Sequence, residues 1–98
     1  MKIIRVPLQG MPHIEDIEPS VDLFQGLVDG PFDYAMVNAV TAMVYNADQW
    51  TQPYNFTING RKIKGPVFFI GLGRREWKDC DISAEQILEM MRSKDDTI

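Results

Sequence analysis

Residues 57–72 read TINGRKIKGPVFFIGL, and they frame the rest of the chain. Asn59-Gly60 separates two short β-forming runs, Asn55–Ile58 and Arg61–Lys64. A type I′ turn needs positive φ at both central positions, and Asn-Gly adopts it readily. The stretch therefore predicts a tight hairpin that projects Arg61 and Lys62 from the body. Gly65-Pro66 then breaks the strand. Val67–Leu72, VFFIGL, is apolar at successive positions rather than alternate ones. Side chains of a strand alternate between faces, so this run predicts a central strand buried on both sides.

At the N-terminus, Lys2–Val6 is β-branched with charged ends and reads as a strand closed by Pro7. His13–Ile17 reads as a short second strand paired with it. Ser20 is a good helix N-cap, and Asp22 adds negative charge where the helix dipole favours it. Val21, Phe24, Leu27 and Val28 fall on one helical face, and Gly30-Pro31 ends the helix as a left-handed cap. Phe32–Val37 and Val40–Tyr45 read as two strands turned at Asn38-Ala39, with Asn38 at a left-handed corner. A helix over Tyr34–Val44 is the competing reading, but it lacks a cap and carries Val and Thr. Ser83–Gln86 is a capping box, and Ile87, Leu88, Met90 and Met91 give its helix an apolar side. The order is β-β-α-β-β-hairpin-β-α. The predicted class is α+β: a small mixed or antiparallel sheet with two helices on one face. One domain spans 1–92, and 93–98 reads as a frayed tail.

The chain has 98 residues, enough for one domain with a real core and no disulfide framework. Cys80 is the only cysteine. Nothing approaches the roughly 20 apolar residues of a membrane span, and the N-terminus does not read as a signal peptide. A cytoplasmic protein is expected. Net charge is −4, but the signs are segregated. No Lys or Arg lies between Arg5 and Arg61, a stretch that holds Glu15, Asp16, Glu18, Asp22, Asp29, Asp33 and Asp48. Arg61, Lys62, Lys64, Arg74, Arg75 and Lys78 then follow, opposed only by Glu76. Either folding pairs the halves across adjacent strands, or the surface is dipolar and steers a charged partner.

Val44-Tyr45-Asn46-Ala47-Asp48, Pro53-Tyr54-Asn55 and Gly65-Pro66-Val67-Phe68-Phe69-Ile70-Gly71 together resemble a small domain of unknown function. That domain is common in phages and conjugative elements of gut bacteria and Firmicutes. The resemblance spans roughly residues 15–73. It departs at Gly30-Pro31-Phe32, where the family usually has Gly-Tyr, and at Phe56, where a basic residue is frequent. It implies a small accessory protein of a virus or mobile element and carries no activity with it.

No catalytic signature is present. His13, Glu15 and Asp16 read as a solvated strand end, since adjacent strand carboxylates face opposite ways and a lone His is a poor metal site. Cys80 lies in no catalytic motif and reads as a half-buried structural thiol. Gly71–Arg75, GLGRR, lacks phosphate-loop spacing and reads as a turn with solvated arginines. Asn46, Asp48, Trp50, Tyr54 and Asn55 form the candidate site. Rings give contact area and amides give orientation, and Arg61 and Lys62 stand beside them as a source of positive charge. The expected function is non-enzymatic binding to a host or element-encoded protein. The alternative is a small-ligand or nucleotide-binding domain using the same loop and hairpin. No cofactor, metal or membrane partner is expected, and nucleic acid is disfavoured because no basic recognition helix is present. A homodimer stays open.

Overall fold

The computed structural model describes residues 1–92, so the tail expected at 93–98 lies outside the described residues. In chain order the elements are β1 (Lys2–Val6), β2 (His13–Asp16), α1 (Val21–Val28), β3 (Phe32–Met36), β4 (Thr41–Asn46), β5 (Tyr54–Ile58), β6 (Arg61–Lys64), β7 (Val67–Leu72), β8 (Trp77–Lys78) and α2 (Ala84–Arg92). The class is α+β, and all strand pairs are antiparallel. The main sheet runs β2-β1-β7-β4-β3, with β8 beside β7.

Strand β7 is central, as its composition requires. Phe69 lies between Ile4 of β1 and Met43 of β4, and Phe68 between Arg5 and Val44. Phe68 and Ile70 face α1, where they pack with Ile3, Ala42 and Val44 against Phe24 and Val28. Val67 and Phe69 face the other way with Ile4, Val6 and Met43, against Phe56, Ile58 and Ile63 of the β5–β6 hairpin and Ile87 of α2. All four β7 side chains are buried. Each contributes about 1.5–3 kcal/mol relative to exposure.

Two expectations are corrected here. The helices lie on opposite faces of the sheet, not on one. The β5–β6 hairpin is a separate two-stranded sheet stacked on the α2 side. The reason is in β7 itself. Both of its edges are taken by β1 and β4, and both of its faces are apolar, so two covering layers are needed. The hairpin serves as part of one, because Phe56, Ile58 and Ile63 point inward. Gly65 makes the exit possible: its φ is +81°, and a Cβ there would meet the Gln52 side chain at 2.8 Å.

The local punctuation follows the sequence closely. Asn59 (φ 50°) and Gly60 (φ 82°) form the predicted positive-φ turn. Leu23 N–H donates to Ser20 Oγ at 3.0 Å. The capping box closes reciprocally, Gln86 N–H to Ser83 Oγ at 3.1 Å and Ser83 N–H to Gln86 Oε1 at 2.8 Å. The left-handed cap of α1 falls on Asp29 (φ 65°), one residue before Gly30. Asn38 works through its side chain rather than a left-handed backbone. Its Oδ1 accepts the N–H groups of Val40 and Thr41 at 2.8 and 2.9 Å, which turns β3 into β4 and displaces the competing helix.

Candidate functional site

The amide-rich loop is largely internal joinery. Asn46 is 2% exposed. Its Nδ2 donates to the Val28 and Asp29 carbonyls at 3.0 and 3.1 Å, and its Oδ1 accepts Asp48 N–H at 2.7 Å. It thereby satisfies carbonyls at the end of α1 that have no partner within the helix. Asn55 Nδ2 donates to Val6 O at 3.2 Å and Gly65 O at 2.9 Å, which ties the hairpin to the main sheet. The Asn46 amide is used at both ends and Asn55 spends its Nδ2 on the backbone, so both serve the fold and are removed from the candidate site. Gln49, which sequence reasoning passed over, completes the brace. Its Nε2 donates to Asn46 O and Lys64 O at 3.0 and 2.8 Å, and its Oε1 accepts Lys64 N–H at 3.0 Å. The connection between β4 and β5 contains a short 3-10 turn, Gln49–Thr51.

The aromatics of that loop remain on the surface. Trp50 is 83% exposed and Tyr54 56%, and Asp48 is exposed beside them. Tyr54 Oη lies 2.7 Å from Thr57 Oγ1. Register places Tyr54 opposite Lys64 and Thr57 opposite Lys62, so these four share the outer face of the hairpin. Arg61 pairs with Ile58 on the inward-facing side, and its guanidinium sits 5.3 Å from the centre of the Tyr45 ring. Both Arg61 and Lys62 are exposed, but on opposite sides of the hairpin, with Arg61 over the Tyr45 ring. The predicted group is divided: Asp48, Trp50, Tyr54 and Lys62 are outward, Arg61 is exposed on the other side of the hairpin, and Asn46 and Asn55 turn to the body.

A second surface lies on the α1 side. Tyr34, Leu72, Gly73, Arg74, Arg75, Glu76 and Trp77 line a cleft of about 570 Å³. The β7–β8 turn builds it. Leu72 pairs with Trp77, and Gly73 N–H donates to Glu76 O at 2.9 Å. The Trp77 ring packs 4.4 Å from Phe24, which meets Phe68 and Phe32 edge-on at 4.8 and 5.6 Å. Trp77 Nε1 donates to Tyr34 Oη at 3.0 Å. The floor is therefore held by packing beneath and a hydrogen bond above. Arg74 and Arg75 are exposed, as the reading of a turn with solvated arginines expects.

The ion pairs decide the charge question. Met1–Asp16 (3.0 Å), Arg5–Glu15 (3.2 Å) and His13–Glu15 (2.7 Å) all lie within the β1–β2 region. Among the described residues no carboxylate pairs with Arg61, Lys62, Lys64, Arg74, Arg75 or Lys78. Among the described residues, the acidic stretch and the basic run at 61–78 do not neutralise each other by direct ion pairing. A hydrogen bond to the Met11 carbonyl, then one to Glu15, raises the His13 pKa. The His13 hydrogen bond is the main cause lowering that of Glu15. His13 and Glu15 meet because residues two apart share a strand face. Burial pushes the Cys80 thiol up, consistent with an unreactive, half-buried side chain. Among the described residues no cluster of three His, Cys, Asp or Glu suits a metal, and no helix is long and apolar enough to cross a membrane. Comparison with known family models, curated proteins and solved structures finds no match to this chain.

Proposed function

We propose that this chain is a binding protein that acts on another protein rather than by turnover, and that Trp50, Tyr54, Lys62 and Lys64 form its contact surface. The observation that carries the reading is the 83% exposure of Trp50 on a turn fixed by the Gln49 and Asn46 hydrogen bonds. An exposed indole on a braced backbone loses little freedom on binding, and Trp is a frequent anchor of interfaces. Trp50 and Tyr54 stand open on the surface, 83% and 56% exposed, which suits a protein partner better than an enclosed small ligand. Lys62 and Lys64 add positive charge that steers an acidic partner. The resemblance to a domain of phages and conjugative elements supports an accessory role toward a host or element-encoded protein.

The test is capture from a bacterial host lysate on the immobilised chain, with quantitative mass spectrometry. Trp50→Ala should cost a genuine partner about 2 kcal/mol or more, mostly as faster dissociation. Lys62→Glu with Lys64→Glu should slow association. Equal recovery of the same proteins by the wild type and both variants would remove this surface.

A further inference from the structure

We propose that the Tyr34–Trp77 cleft on the α1 face is a docking site for an acidic, amphipathic polypeptide segment, separate from the Trp50 surface. Four observations converge. The floor is apolar and aromatic, made by Tyr34, Leu72 and Trp77. The rim is rich in donors: Arg74 and Arg75 are exposed, with no carboxylate paired to either among the described residues. Tyr34 Oη accepts the indole N–H, which leaves its own proton to be donated outward. Among the described residues, Glu76 is the one carboxylate lining the cleft. Such a site complements carboxylates flanked by apolar side chains, because guanidinium groups bind carboxylates through paired, charge-assisted hydrogen bonds.

The shape selects a chain over a compact molecule. Apolar exposure continues past the cleft along the same side of β3, where Met36 lies in register with Ala42 and is 55% exposed. Val40, just before β4, is 48% exposed. Helix α1 is only 8 residues long and covers Phe68 and Phe32 but not these positions. Strand β3 is also the edge of the main sheet, with β4 on one side and, among the described residues, no strand on the other. An extended segment can therefore add backbone hydrogen bonds to β3 and place alternate apolar side chains over Met36 and Tyr34. Its acidic residues then reach Arg74 and Arg75. The exposed Arg74 and Arg75 of the basic run at 61–78 become the recognition element for the partner's acid.

The test uses the full chain, isotope-labelled, titrated with synthetic octapeptides alternating Glu with Leu or Phe. Matched controls carry Lys for Glu, or Gly and Ser for the apolar positions. Binding of the Glu/apolar peptides with shifts at the Trp77 indole N–H and at Tyr34 and Met36 supports the proposal. Affinity should fall by about tenfold or more in Arg74→Glu with Arg75→Glu, and should weaken with salt. Trp50→Ala should leave it unchanged, so failure here and failure of the Trp50 reading can be told apart. No binding above the controls, binding that survives the double charge reversal, or shifts confined to the Trp50 side overturns it. So does concentration-dependent self-association through this face, which would make a second copy the occupant. Adenine nucleotides that shift the cleft signals when the peptides do not would also overturn it. Both arginines are exposed and, among the described residues, unpaired, so the variant should keep its fold, checked by its backbone spectrum.

Discussion

The amide loop at 46–55 and the basic turn at 73–76 make an instructive pair. Both are connections rich in polar side chains, and both stand out in the sequence. In the first, the side chains are spent on the protein: Asn46, Gln49 and Asn55 together bind six backbone carbonyls and two N–H groups. In the second, backbone hydrogen bonding closes the turn, and Arg74 and Arg75 have no partner among the described residues. The difference follows from side-chain length and charge. Short amides reach nearby backbone and replace secondary-structure hydrogen bonds there. A guanidinium on a long stem keeps its head in water unless a carboxylate meets it. Polar loop residues thus mark a binding surface only when the backbone around them needs nothing from them.

The comparison can be broken by measured stabilities. Phe69→Ala sets the scale. It should cost about 3–5 kcal/mol in urea unfolding, from lost burial and the cavity left under the hairpin. A cost under about 1 kcal/mol would mean that β7 is not the core strand. Asn46→Ala should cost about 2–4 kcal/mol, because it strands the Val28 and Asp29 carbonyls and the Asp48 N–H in a buried site. A neutral result would return Asn46 to the set of ligand-facing candidates.

The His13–Glu15 pair should give a smaller effect, under about 1 kcal/mol, since both groups are accessible to solvent. The raised His13 pKa stabilises the fold fully below its ordinary value of 6.5 and loses that contribution as pH rises through the raised value. The lowered Glu15 pKa stabilises above its ordinary value of 4.5 and fails as pH falls through the lowered one. Melting temperature should therefore peak between those values, and His13→Gln should flatten the alkaline limb. An unchanged limb in that variant would assign the dependence elsewhere. Smallest of all, Arg74→Ala with Arg75→Ala should change stability by no more than about 0.5 kcal/mol. A larger loss would show that these side chains hold the turn, and would place them with Asn46 rather than against it.

What was legible in the sequence was what local chemistry dictates. The positive φ of Asn59-Gly60, the reciprocal Ser83–Gln86 cap and the doubly buried β7 run each follow from neighbouring residues alone. Which face of the sheet each helix covers does not, because it depends on how the chain crosses the sheet, and either crossing suits the same amphipathic helix. The internal role of Asn46 was hidden for a similar reason, since its acceptors on α1 are 17 and 18 residues upstream. The cleft was least visible. Tyr34 and Trp77 are 43 positions apart, and β8 is a two-residue strand with no periodicity to show it.

Strand β7 also bears on the order in which the molecule can assemble. The β1–β2 and β3–β4 hairpins are local and form within microseconds, but a lone hairpin is barely stable in water. What joins them is a strand that comes later in the chain than both, pairing Ile4 with Phe69 on one edge and Thr41 with Gly71 on the other. Closing those distant contacts is the slow, entropically costly event of folding. Until it happens, each hairpin presents an unpaired edge and an apolar face to any other unfinished copy. The fold is thus keyed by its last central strand, and its exposure to misassembly lasts as long as VFFIGL is out of place.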